Sequence, residues 1–133
     1  MNKNIDTRTG AMFNGGSINN SAMTSKVFVT QEQEKLNYSP AEEYGEVVFI
    51  TRNEFSIMKA SLRNEALIDE IASKLKSFDP SVDYITVSGS PVVAATVFLV
   101  LGLRKVRSVN MLRWSNRDCV YHPVTIQLTP NQI

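Results

Sequence analysis

Cysteine and histidine are almost absent from this sequence, which contains one of each, Cys119 and His122. A single cysteine excludes an intramolecular disulfide and a metal cluster built on cysteines. A single histidine excludes a histidine-rich metal site and acid–base catalysis by a histidine pair. The two residues lie three positions apart in an extended run, so a regular strand would point their side chains to opposite faces. We therefore expect no Cys–His dyad, no metal and no cofactor.

Long hydrophobic runs are also missing. The longest apolar block extends from Val92 to Leu103 and is interrupted by Thr96 and Gly102. It is shorter than the roughly 20 residues that a helix needs to cross a bilayer. The segment MNKNIDTRTGAMFNGG contains no apolar core of a signal peptide. We expect no membrane segment and, because a lone thiol suits a reducing compartment, a cytoplasmic location, in the host cell if the protein is viral.

A dominant charge of either sign is absent, because the formal net charge at pH 7 is +1. This balance gives no global field that would attract nucleic acid or an anionic membrane. Three aromatic residues, Trp114, Tyr121 and Tyr84, could form a stacking surface for single-stranded nucleic acid, with Arg113 and Arg117 nearby. Aromatic residues in strands more often form cross-strand pairs, so nucleic-acid binding is not expected.

The composition that is present, 43% apolar and 20% charged, is that of an ordinary globular domain. With 133 residues and no internal repeat, one domain is expected. Residues 1–25 are rich in Asn, Ser, Gly and Met, so we predict a flexible N-terminal arm before a single α/β domain over residues 26–133. The alternative is an arm that docks onto a neighbouring subunit through Met12, Phe13 and Ile18.

Periodicity and turn residues predict two helices, over residues 62–78 and 91–104, and five strands. The predicted strands are Lys26–Thr30, Glu46–Thr51, Tyr84–Val87, Val106–Trp114 and Cys119–Leu128. Four apolar residues in a row, from Val47 to Ile50, predict that the second strand is buried on both faces, as in a parallel sheet. Helices that cross between successive strands indicate an α/β fold with a small Rossmann-like or flavodoxin-like parallel sheet. The last two strands should form an antiparallel hairpin. Pro123 lacks a backbone N–H and favours an edge position for the final strand.

The helix predicted over residues 91–104 is apolar on nearly every side. Such a helix must be covered on both sides, and in so short a chain the sheet can cover only one. The second cover would be the N-terminal segments, the first helix or a second subunit. We expect a homo-oligomer with this helix at or near the interface.

The loop Ser88-Gly89-Ser90 is the best candidate for a ligand site, because ligands of parallel α/β sheets bind beyond the carboxyl ends of the strands. Free backbone N–H groups at the following helix would face a small anion such as a phosphate. The end of the second predicted strand, Thr51-Arg52-Asn53-Glu54, should lie at the same edge, where Arg52 could meet such an anion. The loop matches neither nucleotide-binding glycine motif. A serine cap, a turn glycine and Pro91 also suit any strand-to-helix turn.

Three stretches, VFVTQEQEKLNYSPAEEYG, DYITVSGSPVVAATVF and VNMLRWSNRDCVYHPVTI, resemble a group of small bacteriophage proteins that has no known activity. The resemblance covers residues 27–128 and implies a strand, a small turn ending in proline, an apolar helix and a final hairpin. It assigns a role to no residue. The SGS stretch is also similar to the strand–loop–helix of nucleotide-sensing Rossmann-like domains in antiviral systems.

Three functional hypotheses follow. The first is a non-enzymatic, phage-encoded α/β protein that self-associates through the helix over residues 91–104, with a small anionic or nucleotide ligand at Ser88–Ser90 as a possible addition. The second is an enzyme or sensor that acts on a phosphorylated small molecule or nucleotide at that loop. The third is a virion or assembly component that uses its N-terminal arm.

Overall fold

A computed structural model describes residues 24–58 and 61–132, which contain five strands and two α-helices. The strands are β1 (Lys26–Val29), β2 (Glu46–Phe49), β3 (Tyr84–Thr86), β4 (Ser108–Ser115) and β5 (Val120–Gln127). The helices are α1 (Leu62–Lys74) and α2 (Pro91–Leu103). The predicted arm, residues 1–25, and its candidate anchors Met12, Phe13 and Ile18 lie outside the described residues, except for positions 24 and 25.

The strands form one sheet in the order β2-β1-β3-β4-β5. β1 pairs with β2 and β3 in parallel, β3 pairs with β4 in parallel, and β4 pairs with β5 in antiparallel. The predicted α/β fold with an antiparallel edge hairpin is confirmed. Pro123 lies in the edge strand β5, as its missing N–H predicted.

One face of the sheet carries both helices. Phe28 of β1 and Ile85 of β3 are fully buried against Ile71 of α1 and Val97 of α2. α1 forms because its apolar residues recur at helical spacing. It ends four residues before the predicted helix boundary at position 78, in a 3-10 turn over Leu75–Ser77.

The opposite face is covered by a 3-10 turn, Ser39–Glu43, instead of a third helix. Ala41 of this turn is buried with Val27 and Leu112. The turn has Pro40 near its start and is followed by Gly45, whose φ is +153°. A Cβ at Gly45 would collide with the backbone carbonyl of Ser25, so this corner requires glycine.

Edge positions explain one further difference. The run of apolar residues in β2 predicted a strand buried on both faces, but Val47, Val48 and Phe49 are only half-buried, because β1 is the single neighbour of β2 among the described strands.

The buried carboxylate of Asp83 holds the start of β1 in place. It accepts the backbone N–H groups of Lys26 (2.9 Å) and Asp79 (2.8 Å). Asp83 thereby fixes the start of β1 beside the start of β3.

α2 begins as predicted, and residues 24–58 and 61–132 cover it on one side only. The Ser90 hydroxyl caps the helix by accepting the Val93 N–H (3.3 Å), and Pro91 occupies the first turn. Val93, Ala94 and Val97 are buried against the sheet, as is Leu101, whereas the outer side is exposed. Among the helices in the described part of the chain, none is long and apolar enough to cross a membrane.

Candidate functional site

The chain connections of the sheet reverse direction between the neighbouring strands β1 and β3. The segment after β1 leads to β2 on one side, whereas the segment after β3 leads to β4 on the other, so the two segments diverge at the carboxyl ends of β1 and β3. This switch point is where open α/β sheets bind ligands. The residues there form a group that we call the strand-end cluster, consisting of Thr30, Gln31, Tyr38, Glu54 and residues 88–90.

Thr30 holds Ser88 in place. The Thr30 hydroxyl donates to the backbone carbonyl of Ser88 (2.9 Å) and accepts the Ser88 backbone N–H (2.9 Å). The Thr30 side chain is fully buried. The backbone of Ser88 is therefore satisfied within the protein and offers no free N–H to a ligand.

Gln31 connects three loops through one side-chain amide. Its Oε1 accepts the Ser90 N–H (2.7 Å) and the Gln33 Nε2–H (3.2 Å), and its Nε2 donates to the Asn53 carbonyl (2.8 Å). Gly89 has a φ of +76°, and a Cβ at this position would collide with Gln31 Oε1. Glycine is thus needed both for the left-handed backbone and for the close approach of the glutamine.

Tyr38 reaches the cluster from the loop that follows β1. Its hydroxyl lies 2.7 Å from Ser88 Oγ and accepts the Gln33 backbone N–H (2.8 Å). The ring of Tyr38 packs edge-on against Phe49 at 5.2 Å. The Ser88 hydroxyl is therefore engaged by a buried tyrosine.

A carboxylate lies beside the N-terminal end of α2. The Ser90 hydroxyl donates to Glu54 Oε2 (2.9 Å) while it accepts the Val93 N–H. A negative charge is favourable near the positive end of a helix dipole. Glu54 thus supplies within the chain the type of charge that was predicted to come from an anionic ligand.

Arg52, the fourth predicted ligand residue, is directed to a different acid. Its guanidinium donates to Glu32 Oε1 (2.7 Å), and its side chain is 76% exposed. Within residues 24–58 and 61–132, no hydrogen bond or ion pair joins Arg52 to residues 88–90. The structure brings Ser88, Gly89 and Ser90 together at the switch point and pairs Arg52 with Glu32.

Three residues of the cluster were missed by the sequence analysis. Thr30 and Gln31 follow β1 directly, so the strand-end rule that selected Ser88 could have found them. Tyr38 comes from a long connection whose course no periodic pattern specifies, so it could not have been assigned to the cluster from the sequence. Glu54 was expected at this edge as part of Thr51–Glu54, but its contact with Ser90 was not.

The final hairpin contains the remaining candidates for chemistry. His122 Nε2 lies 3.4 Å from Asp118 Oδ2 at an exposed position. Trp114 and Tyr121 form an edge-on cross-strand pair with ring centroids 4.9 Å apart. Within the described ranges, no group of three or more His, Cys, Asp or Glu residues could hold a metal ion.

A second candidate is an exposed apolar surface. We define the α2 stripe as Val92, Ala95, Thr96, Leu99 and Leu103, which share the outer side of the helix. Three of its side chains are largely exposed: Val92 at 58%, Leu99 at 68% and Leu103 at 81%. The Thr96 hydroxyl donates to the Val92 carbonyl (2.9 Å), so its hydrogen-bond donor is satisfied within the helix and does not need a water molecule.

β5 carries further exposed apolar residues on the face of the sheet that the helices cover. Val124 and Ile126 lie opposite Met111 and Val109 of β4, and these two β4 residues pack against the core that α2 covers. Val124, Ile126 and the following Leu128 are two positions apart, so their side chains share one face, and they are about half exposed. We call the stripe and these three residues together the α2–β5 surface.

The fold and these features define a small α/β protein with a parallel core, an edge hairpin and an uncovered apolar helix side. The family model of the Phage Pam3 gp32-like protein matches residues 25–128, and the chain belongs to this family. The resemblance to a group of small bacteriophage proteins over residues 27–128 is thereby confirmed. No curated protein and no solved structure matches the chain.

Proposed function

We propose that this phage protein is a non-enzymatic component that self-associates as a homodimer through the α2–β5 surface. The observation that supports it most strongly is the exposure of Leu99 and Leu103 on the outer side of α2. Large apolar side chains that are exposed together on one side of a helix mark interaction sites in soluble proteins. The lone exposed Cys119 suits a reducing compartment, and action in the host cytoplasm is part of the proposal.

A second copy suits this surface because the surface is apolar and uniform. α2 contains no charged residue between Pro91 and Leu103, so no side chain in it would be buried unpaired. A two-fold axis brings the same patch of both subunits together. Two α2 helices packed in this way can bury each other's leucines without any change in the fold.

The charges at the two ends of α2 favour an antiparallel arrangement. Arg104 and Lys105 follow the C-terminal end, and Glu54 lies at the N-terminal end. In an antiparallel pair, the basic end of each helix approaches the acidic end of the other. The opposed helix dipoles also attract in this arrangement.

Sedimentation equilibrium of the full chain tests the proposal. The wild type should be a dimer at micromolar concentration, and Leu99→Asp should weaken the dimer about 100-fold or more, because a carboxylate would be buried in the interface. Leu36→Asp is the matched control, since Leu36 is also exposed (57%) but lies in the loop after β1, away from this surface. A wild type that stays monomeric up to millimolar concentration would overturn the proposal.

A small anionic ligand at Ser88–Ser90 is a second, weaker candidate. The position of the loop at the switch point supports it. Two features oppose it: the Ser88 and Ser90 amides already have protein acceptors, and Glu54 holds the Ser90 hydroxyl. A ligand would have to displace this carboxylate. An enzyme or sensor acting at the same loop would meet the same obstacle.

Thermal melting with millimolar phosphate or adenosine monophosphate tests this candidate. If an anion binds here, Glu54→Gln should increase the stabilisation, because it removes the competing charge. Ser90→Asp should abolish it, while an aspartate still caps α2. No stabilisation of either the wild type or Glu54→Gln would exclude the ligand.

A further inference from the structure

A groove of about 700 Å³ lies beside β2, on the face of the sheet opposite the helices. Its floor is apolar and contains Leu36, Tyr38, Val47 and Phe49. Tyr38 packs edge-on against Phe49, and Leu36 is 57% exposed. We call this feature the β2 groove. An apolar floor that the described residues leave open can receive a large apolar side chain of a partner.

Among the described residues, the charged side chains that line the β2 groove are all acidic, and they belong to Glu32, Glu42 and Glu46. Glu32 is paired with Arg52 at 2.7 Å. Glu42 and Glu46 are exposed, and neither forms an ion pair with any residue in 24–58 or 61–132. A partner with basic side chains would complement these two charges, whereas an acidic partner would be repelled.

β2 also has backbone groups that are directed away from β1, its neighbour in the sheet. The N–H groups of Glu46 and Ile50 donate to β1-side carbonyls at 3.2 and 2.9 Å. Backbone groups alternate in direction along a strand, so those of Val47 and Phe49 point to the outer edge. The Phe49 carbonyl accepts Lys74 Nζ (3.1 Å), but no described residue bonds to the Val47 N–H, the Val47 carbonyl or the Phe49 N–H. An edge of this kind is a template for an additional strand.

The other edge of the sheet is less suited to strand addition. β5 contains Pro123, which cannot donate to a ladder and blunts an edge strand. β2, with the sequence Glu-Val-Val-Phe, has no proline and no basic residue. The outer edge of β2 therefore combines open backbone groups with an adjoining apolar and acidic groove.

A second copy of β2 does not complement this edge, because it would bring its own Glu46 to an edge that already carries Glu42 and Glu46. We propose that the β2 groove binds an extended, basic segment of a partner protein, which adds to β2 as an outer strand. The apolar side chains of that segment lie over Leu36 and Phe49. Its lysine or arginine side chains lie beside Glu42 and Glu46.

The synthetic peptide Lys-Lys-Val-Leu-Val-Lys-Lys, with both ends blocked, is the probe for this site in the full chain. It should produce saturable NMR shifts of the Val47 and Phe49 amides. At saturation it should slow their hydrogen exchange about tenfold or more, because a ladder bond must open before an amide exchanges.

Two matched peptides separate the contribution of charge from that of strand pairing. The first replaces every lysine with glutamate, and the second keeps the lysines but carries N-methyl groups on the valine and leucine amides. Each should bind at least about tenfold more weakly than the probe, because the first loses the complementary charge and the second cannot form a ladder.

The double variant with Glu42→Lys and Glu46→Lys tests the two carboxylates. It should bind the lysine peptide about tenfold or more weakly, because attraction is replaced by repulsion. Asp69→Lys is the matched control, since it reverses an exposed charge on α1, on the other face of the sheet, and it should bind as the wild type does. The Phe28 and Ile85 amides in the core report that each variant is folded. Unchanged binding by the double variant would overturn the proposal.

Three further results would also overturn it. Absence of shifts at about 5 mM lysine peptide would exclude a binding site. Equal binding of the N-methylated peptide would show that no strand is added. Protection of the Val47 and Phe49 amides without peptide would show that the edge is already occupied by the chain itself or by a second copy.

This inference does not depend on dimerisation, because the β2 groove and the α2–β5 surface involve opposite edges of the sheet. Leu99→Asp should therefore lose the dimer and bind the lysine peptide as the wild type does. The failure of one proposal is thus distinguishable from the failure of the other.

Discussion

The strand-end cluster and the α2–β5 surface differ in how far the protein itself satisfies their chemical groups. In the cluster, the Ser88 and Ser90 backbone amides both have acceptors within hydrogen-bonding distance. On the α2–β5 surface, Leu99 and Leu103 contact solvent over most of their area. A region whose groups are already paired contributes to stability, whereas an uncovered apolar region is stabilised by a partner. The first region therefore contributes to the stability of the fold, and the second is the surface through which we propose that the protein associates.

The largest effect on stability is expected from Gly89→Ala in the strand-end cluster. A side chain at φ +76° is strained, and the added Cβ would displace Gln31 from the Ser90 amide. We expect a loss of about 3 kcal/mol in the free energy of unfolding, measured by urea denaturation.

Gly102→Ala provides the control for that change. Gly102 lies in α2 and has open space where a Cβ would stand. Alanine there should raise the free energy of unfolding by about 0.5–1 kcal/mol, because it restricts the unfolded chain. If both glycine variants lost the same stability, the special role of Gly89 would be refuted.

A smaller loss is expected from Thr30→Val, which keeps the shape of the side chain and removes its hydroxyl. The Ser88 N–H and carbonyl would both lose their partner. The expected cost is about 2 kcal/mol in the free energy of unfolding, since one buried donor and one acceptor remain unpaired. The dimer constant, measured where the variant is folded, should not change. If folded Thr30→Val formed a weaker dimer, the view that the strand-end cluster affects only stability and the α2–β5 surface only association would be contradicted.

Leu103→Asp on the α2–β5 surface should have the opposite effects, with the dimer weakened and the free energy of unfolding of the monomer nearly unchanged. Because Leu103 is 81% exposed, the monomer should change in stability by no more than about 0.5 kcal/mol. The dimer should be lost. Urea denaturation at a protein concentration low enough to populate monomers measures the free energy of unfolding of the monomer alone. A large loss of monomer stability would mean that Leu103 belongs to the core.

The smallest expected effect is on the pH dependence of stability, and it comes from two tyrosines on the face of the sheet opposite the helices. Burial raises the pKa of Tyr44 and of Tyr121 above the ordinary value of 10.0. The unfolded chain therefore loses these protons first, so stability is intact below pH 10 and falls as pH rises beyond it. Tyr44→Phe also loses a hydrogen bond to the Tyr121 carbonyl (3.1 Å), so it should be less stable at neutral pH but less sensitive above pH 10. The free energy of unfolding is measured by urea denaturation at several pH values. If it fell equally steeply with pH above 10 in the wild type and in Tyr44→Phe, this prediction would be contradicted.

The sequence predicted the elements whose formation depends on local chemistry. Ser90 and Pro91 marked the start of α2, and Pro123 marked an edge strand. The apolar run in β2 predicted a strand buried on both faces. That prediction was wrong, because an apolar run does not specify which strands become neighbours in the sheet. The position of β2 at an edge follows from the chain crossing over to β3, which is a property of the whole fold.

The loop contacts could not be predicted in this way. Glu54 approaches Ser90, 36 positions away in sequence, and Tyr38 approaches Ser88 across 50 positions. No pattern in either segment specifies these contacts. The anion predicted for the loop was inferred from its free amides, and the residues that occupy those amides come from other parts of the chain.

The amide of Gln31 has a mechanical consequence. Because one planar group binds the residues that follow β2 and β3 as well as its own neighbour Gln33, none of these loops can shift without straining the other two. The start of α2 is thereby anchored to the centre of the sheet. The outer leucines of the helix are therefore held in a fixed position, so the association that we propose would require little ordering of the chain beforehand.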